Sequence, residues 1–352
     1  MEYASENPVL DASGEEHTCF LSESDFAEWH PSIEQTTVIE YKGLQVHKCG
    51  PWTQGPVFLQ QLQILRNFDL PAMGHNSARY VHTLLETAKL AFADREAHYG
   101  DPDFHDVPLQ RLLDPDYGAQ RAKLISDTPA PGIHPGTDNR KVHHIEDVKA
   151  DAEYSIRHGG DTTQLVTADS SGMMVCATPS GGWIRSNPVI SAVGFALTTR
   201  GQMFYLNPHR PNCYEPRKRP RITLTPSMVT REGEPYLAFG TPGGDAQDQT
   251  TLQFFLNVVE FGMDMQSAVE APSFYCEAFA NSFYPRGSFE RRFAAEDRLG
   301  EDILSQLKEV GHRPRLLGDW GNGCVMGIRF DENGLLTAAA SPRREVALAF
   351  GR

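Results

Sequence analysis

Apolar positions recur at helical spacing in much of the early chain and alternate along most of its later part. Phe58, Leu62 and Leu65 share one helix face, and Val81, Leu84, Leu85, Ala88 and Phe92 share another behind a capping residue, Ser77. Between 36 and 47, β-branched and aromatic residues flank Lys42-Gly43, which predicts a hairpin. After residue 162 the pattern predicts strands at 164–168, 173–177, 195–198, 236–239, 325–330 and 335–340. Two helices interrupt them, one with Leu252, Phe255, Leu256 and Val259 on a face, the other with Ile303, Leu307 and Val310. Strands in runs with helices set apart predict an α+β protein and not a parallel α/β one. Residues 127–160, with Thr128-Pro129-Ala130-Pro131-Gly132 and Lys141-Val142-His143-His144, read as a linker.

Composition narrows the partners more than the fold. A chain of 352 residues, 40% hydrophobic, can bury a sizeable core in one large or two ordinary domains. Its 46 acidic against 32 basic residues give a net charge of −14, which argues against nucleic acid and anionic membrane as partners. Cys19, Cys49, Cys176, Cys213, Cys276 and Cys324 lack a C-x-x-C pair or a metal-like spacing and read as reduced packing residues. The start shows no charged segment leading into an apolar one, and no apolar run nears the roughly 20 residues that span a bilayer. The expectation is a soluble, cytoplasmic protein.

Candidate chemistry lies where the linker meets the first later strand, at His158-Gly159-Gly160-Asp161-Thr162-Thr163-Gln164. If the bond between Asp161 and Thr162 breaks, Thr162 gains a free α-amine beside its own hydroxyl, so one residue holds both base and nucleophile. Such a mechanism needs no histidine, metal or cofactor. The thirteen histidines sit in no G-x-S-x-G context and are expected to be solvated surface imidazoles. Gly243-Gly244 would let backbone N–H groups approach an oxyanion with no Cβ in the way.

Downstream of Thr162 come Ala177-Thr178-Pro179-Ser180-Gly181-Gly182-Trp183, Lys218-Arg219-Pro220, Leu224-Thr225-Pro226-Ser227 and Gly240-Thr241-Pro242-Gly243-Gly244-Asp245. In this order they resemble the small subunit of the γ-glutamyltransferase (γ-glutamyltranspeptidase, glutathione hydrolase) family of N-terminal nucleophile hydrolases. Gly74-His75-Asn76-Ser77-Ala78, Lys89-Leu90-Ala91-Phe92-Ala93-Asp94-Arg95 and Gly100-Asp101-Pro102-Asp103 resemble the end of that family's large subunit. The resemblance runs from about Phe20 to the C-terminus. It implies a four-layer αββα sandwich, here incomplete on its N-terminal side, because relatives begin well before the position matching Met1. Residues 1–161 would correspond to the C-terminal part of the large subunit, ending in the linker, and 162–352 to the small, catalytic one. Autocleavage between Asp161 and Thr162 would give a heterodimer of the two fragments acting on a small-molecule amide, such as glutathione or another γ-glutamyl compound.

The resemblance also assigns roles: Thr162 as nucleophile, Ser180 as the hydroxyl that hydrogen-bonds it, and Gly243 and Gly244 as oxyanion donors. Gln202, Tyr205, Thr223 and Trp183 fall at substrate-binding positions. Several depart from the family pattern. Tyr205 stands where an acidic residue grips the substrate's α-amino group, Ile222-Thr223 where two serines meet its carboxylate, and Gln164 where histidine is usual. Gly181-Gly182-Trp183 lacks the usual asparagine and is similar to a subgroup that includes oxamate amidohydrolase, which gives a small acid amide as the alternative substrate. An arginine that pairs with the substrate carboxylate belongs to the segment without a counterpart here. A catalytically inactive, truncated homologue is the remaining alternative.

Overall fold

The computed structural model describes residues 2–10, 14–19, 21–132, 134–136, 162–181, 189–283, 286–331, 333–343 and 347–351. Its centre is a six-stranded antiparallel sheet in which early and late segments interleave. The early hairpin is β1 (Thr37–Tyr41) and β2 (Leu44–Lys48), and its turn at Lys42-Gly43 takes positive φ at both residues, 52° and 77°. That is the type I′ geometry whose twist matches the flanking strands. After β3 (Leu165–Ala168) and β4 (Met174–Ala177) come β5 (Ser227–Arg231) and β6 (Glu234–Gly240), and later β10 (Met326–Phe330) and β11 (Leu336–Ala340). The order across the sheet is β11-β10-β6-β5-β2-β1. A separate three-stranded sheet joins β7 (Phe274–Cys276), β8 (Arg292–Ala295) and β9 (Arg313–Leu316), with β8 and β9 parallel.

One face of the large sheet is covered by helices α1 (Gly55–Leu65), α4 (Gln247–Val259) and α5 (Met265–Glu270). Ile39, Tyr41, Leu44, Val46, Leu237 and Phe239 turn to that side and are buried. Phe58 of α1, Phe239 of β6 and Phe255 of α4 meet with ring centroids about 6 Å apart. Against α1 pack α2 (Ala78–His98) and α3 (Pro115–Ala122), and α6 (Glu301–Glu309) supports α2 from the far side. The other face of the sheet carries the β3–β4 hairpin, which lies over β6 and β10. Gly240 follows the inward-facing Phe239, so its Cα hydrogen side faces that hairpin, and the Gln164 side chain fills the place of a Cβ, 2.3 Å away. The fold is α+β, mixed helices and sheets as the strand pattern predicts. No helix among the described residues is long and apolar enough to cross a membrane.

Segments far apart in sequence are joined by ionic and polar contacts. Arg219 holds Asp101 through its backbone N–H at 2.8 Å and its guanidinium at 2.8 and 3.2 Å. Ser77 caps α2, its hydroxyl accepting from Tyr80 N–H, as expected. Lys48, fully buried, reaches Asp248 at 3.0 Å, Ser227 Oγ at 2.8 Å and the Thr225 carbonyl at 2.9 Å. The linker is docked where it starts: Ala130 N–H donates to Glu86, and Gly136 N–H donates to Asp94. All six cysteines are free.

The strands 227–231, 274–276, 292–295 and 313–316 have no counterpart among the predicted elements. Arg and Pro punctuate Arg313–Leu316 and erase a readable alternation, so pairing with β8 decides its state. Close helix contact makes one glycine indispensable. A Cβ on Gly118 of α3 would stand 2.4 Å from the Gln63 backbone carbonyl oxygen of α1. Gly118→Ala should therefore lower stability by about 1–3 kcal/mol, since a backbone carbonyl cannot step aside. Urea unfolding should show a lower midpoint at unchanged slope; an unchanged midpoint would show that the two helices are free to separate.

Candidate active site

Thr162 lies just before β3, where the chain leaves the linker and enters the sheet. Its N-terminal neighbour Asp161 lies outside the described residues, as do Trp183 and the histidines 143 and 144. Thr163 N–H donates to the Pro179 carbonyl at 3.0 Å, which extends the β3–β4 pairing and sets Thr162 beside Ser180. The two hydroxyl oxygens are 2.9 Å apart, both half-buried. Gln164 keeps this entry in place: its carbonyl accepts from Thr178 Oγ1 at 2.7 Å and its amide donates to the Leu165 carbonyl at 3.2 Å.

A third member of this group is Arg200, whose guanidinium donates to Ser180 Oγ. It opens a 3-10 turn, Arg200–Met203, set by Thr199 N–H donating to the Gly181 carbonyl at 2.8 Å and by Arg200 N–H donating to Thr198 Oγ1 at 3.2 Å. Gly181 is at φ 143° and packs on Thr198, so a side chain there would collide. Sequence reasoning looked two residues further on, to Gln202. The only signal for Arg200 was its place in Thr198-Thr199-Arg200-Gly201, a polar turn after an apolar stretch.

The glycine pair is tied to this group through Phe283. The Arg200 guanidinium lies 5.5 Å from the Phe283 ring centroid, and a Cβ on Gly244 would stand 3.3 Å from the same ring. Gly243 and Gly244 have φ of 142° and 57°, open to glycine and strained for other residues. They enter the 13-residue helix α4 through a 3-10 turn, Gly244–Ala246, so their amides lie at the positive end of its dipole. Among the described residues no hydrogen bond uses the N–H of either glycine.

The turn is pinned by Asp245. One carboxylate oxygen accepts from Arg95 and from Ser282 Oγ at 2.6 Å, the other from Ser282 N–H at 2.7 Å. Arg95 is fully buried, and it also donates to Gln54 at 3.1 Å and to the Ala280 carbonyl at 3.0 Å, and pairs with Glu96 at 2.9 Å. Gln54 in turn donates its side-chain amide to the Gly244 carbonyl at 3.2 Å. The turn is thus held at the Gly244 carbonyl and at the Asp245 side chain.

The positions marked for substrate binding fall in different surroundings. Tyr205 is buried, its hydroxyl donating to Glu96 at 2.6 Å and its ring lying between Arg210 and Arg286, 4.2 and 3.8 Å from the centroid. Gln202 is exposed and bonds to Thr199. Thr223 is buried, with no partner for its hydroxyl among the described residues. Its neighbour Ile222 is stitched to Trp52 and Gln54 through backbone hydrogen bonds of 3.0 Å. One expectation needs correction: His82, His98 and His312 are buried, not solvated. His82 faces inward from α2 and its Nδ1 lies 2.8 Å from His312 Nε2. Burial and the adjacent His82 push the His312 pKa down to about 3, so it is neutral at physiological pH.

This hydroxyl pair at a strand entry and the pinned glycine turn fit acyl-transfer chemistry by an N-terminal nucleophile. The family model for gamma-glutamyltranspeptidase matches residues 10–350, and the chain belongs to this family. It is 32% identical over 311 residues to the glutathione hydrolase-like YwrD proenzyme of Bacillus subtilis (strain 168), covering 88% of this chain and 54% of that protein. The solved structure of LmbA2991HD is similar at a TM-score of 0.92 and 42% identity, covering 99% of this chain and 61% of that one. A cephalosporin acylase from Bacillus halodurans superposes at a TM-score of 0.78 and 27% identity, over 95% of this chain and 56% of that one. The fold is accordingly that of the N-terminal nucleophile hydrolases. The chain spans about half the length of the curated relatives it matches.

The cation cluster behind the turn gives a pH dependence. Burial would raise the Glu96 carboxyl, but Arg221, Arg95 and Arg210 outweigh it and hold its pKa at about 2, against an ordinary 4.5. A carboxyl depressed in the folded state stabilises fully above its unfolded pKa, so this contribution is complete above about pH 4.5 and is lost as pH falls toward 2. It is on the order of 3 kcal/mol. Urea midpoints between pH 6 and 3 should fall steeply in the wild type, and the slope should be shallower in Glu96→Gln, which starts from lower stability because its arginines are left uncompensated. Equal slopes would show that Glu96 is not held ionised.

Proposed function

We propose that the chain is a self-maturing γ-glutamyltransferase-like amidohydrolase and acyltransferase, with Thr162 as its nucleophile. The observation that carries this reading is the Thr162–Ser180 hydroxyl pair at the strand entry that follows the linker, 2.9 Å apart. In maturation, Thr162 Oγ1 attacks the Asp161 carbonyl, the peptide C–N bond breaks as the acyl group shifts to oxygen, and water hydrolyses the ester. Thr162 is left with a free α-amine, and the two fragments stay together as a heterodimer. With Arg200 donating to Ser180 Oγ, the Ser180 proton can turn to Thr162 Oγ1 and stabilise the oxygen as it loses its own.

In turnover the α-amine, with an ordinary pKa of about 7.7–8.0, takes the hydroxyl proton as Thr162 Oγ1 attacks an amide carbonyl. The tetrahedral oxyanion is met by the N–H groups of Gly243 and Gly244. The amine product leaves with the proton held by the α-ammonium group. Water or an acceptor amine then releases the acyl group from Thr162. No step calls for a metal or cofactor. The matched relatives are named as glutathione hydrolase and acylase proenzymes, so γ-glutamyl amides and other small acyl amides are the substrates to test.

Intact mass spectrometry should find two fragments in the purified wild type, with the smaller beginning at Thr162. Thr162→Ala should remain a single chain, and Ser180→Ala should mature more slowly, by roughly 10-fold or more for one lost hydrogen bond to the nucleophile. A mature fragment starting elsewhere, or cleavage that persists in Thr162→Ala, would overturn the assignment.

A further inference from the structure

The geometry points to a divalent metal site of the zinc class formed by His82, Glu86 and His312, outside the hydroxyl pair and the glycine turn. It does not depend on Thr162 being the nucleophile. Two observations carry it, and the first is convergence. His82 Nδ1, His312 Nε2 and a Glu86 carboxylate oxygen lie within 4.8 Å of one another, and all three residues are buried. His82 and Glu86 stand four residues apart on α2, so one helix face presents both. His312 enters from the turn between α6 and β9. Two imidazoles and a carboxylate on packed elements are a zinc ligand set, which a water molecule completes.

The second is a count of protons. The Ser126 carbonyl, 2.7 Å from His82 Nε2, can only accept, so that nitrogen carries a proton. The Arg291 backbone takes a hydrogen bond from His312 in the same sense. Two neutral rings then have no proton left for the inner pair, yet His82 Nδ1 and His312 Nε2 stand 2.8 Å apart. Lone pairs that close repel unless a cation joins them. A proton would leave the converging carboxylate without a role, and burial holds His312 unprotonated at physiological pH. A metal ion uses all three groups once the rings part by about 0.5 Å. Metal-binding histidines commonly donate their other N–H to a carbonyl in just this way. Two cations face the cluster: Lys89, paired with Glu86 at 2.8 Å and held by the Ala130 carbonyl at 2.7 Å, and Arg291. They weaken the site, so affinity should be on the order of micromolar and not that of thiolate zinc sites. The bound ion would fasten α2 to the entry of β9 and, through His82, to Ser126 at the foot of the linker.

The test titrates the untagged 352-residue chain, stripped with EDTA and dialysed, with zinc chloride by calorimetry. One Zn2+ should bind per chain, and saturation should raise Tm by about 3–6 °C. His312→Gln and Glu86→Gln should each weaken binding by roughly 10-fold or more, while the double variant His143→Gln/His144→Gln should bind as the wild type does. Absence of saturable binding would overturn the proposal, as would unchanged affinity in His312→Gln and Glu86→Gln. Loss in the linker double variant would trace the ion to that histidine pair and overturn it too. If the buried variants fail to fold, X-ray absorption of the zinc-loaded wild type decides. Two imidazoles at about 2.0–2.1 Å support the site, and a shell of oxygens or a single imidazole overturns it.

Discussion

A single buried guanidinium organises the site. Arg95 is fully buried against the stacked pair of Phe92 and Phe279 rings, 4.5 and 5.4 Å from their centroids. A charge so placed is tolerable only when every donor finds an acceptor of suitable charge. Asp245, Glu96, Gln54 and the Ala280 carbonyl supply them. Three of these partners also reach the candidate site. Asp245 follows the glycine pair, Glu96 takes the Tyr205 hydroxyl, and Gln54 holds the Gly244 carbonyl. Satisfying one buried cation therefore fixes the turn's position as well as its shape.

Such a network explains why the segment before the linker and the segment after it form one unit. Arg95 is on α2, Gln54 caps α1, and three of the groups that accept from them, Asp245, the Ala280 carbonyl and the Gly244 carbonyl, lie beyond residue 240. Lys48 repeats the pattern, reaching from β2 to Asp248 at the start of α4. Burial pushes the Asp248 carboxyl up to about 6 despite that partner, so the pair costs something in isolation and is retained where register matters. Cleavage at the linker would cut neither contact.

Periodic segments were the legible part of the sequence. The hairpin around Lys42-Gly43, the capped helix behind Ser77 and the later strands predicted at 164–168, 173–177, 236–239, 325–330 and 335–340 lie within a few residues of their predicted places, because amphipathic period and turn chemistry agree there. The helices 115–122 and 265–270 are too short to show a period, and Phe274–Cys276 has three residues, so tertiary pairing decides them. At the site, the chemistry of Thr162 could be read from its neighbours in sequence. The contact between Ser180 and Arg200 could not, since it depends on a turn twenty residues downstream folding back. Tyr205 shows the converse: placed at a substrate position by resemblance, it is occupied by Glu96 and enclosed by two arginines. Buried histidines were misjudged because an inward helix face can hold an imidazole wherever a carbonyl such as that of Ser126 accepts its N–H.

The central claim is that the Arg95–Asp245 pair presents the Gly243-Gly244 turn to Thr162. The most direct test is the rate at which the 161–162 bond breaks in Asp245→Asn, which keeps the side chain's size and its acceptor for Ser282 while removing the charge. Fragment appearance should slow by 10-fold or more relative to wild type, in protein that still unfolds cooperatively, as expected for loss of a charge-assisted bond of about 1.5–3 kcal/mol. A cleavage rate equal to wild type in the folded variant would show that the turn holds its place without that ion pair, and would contradict the claim.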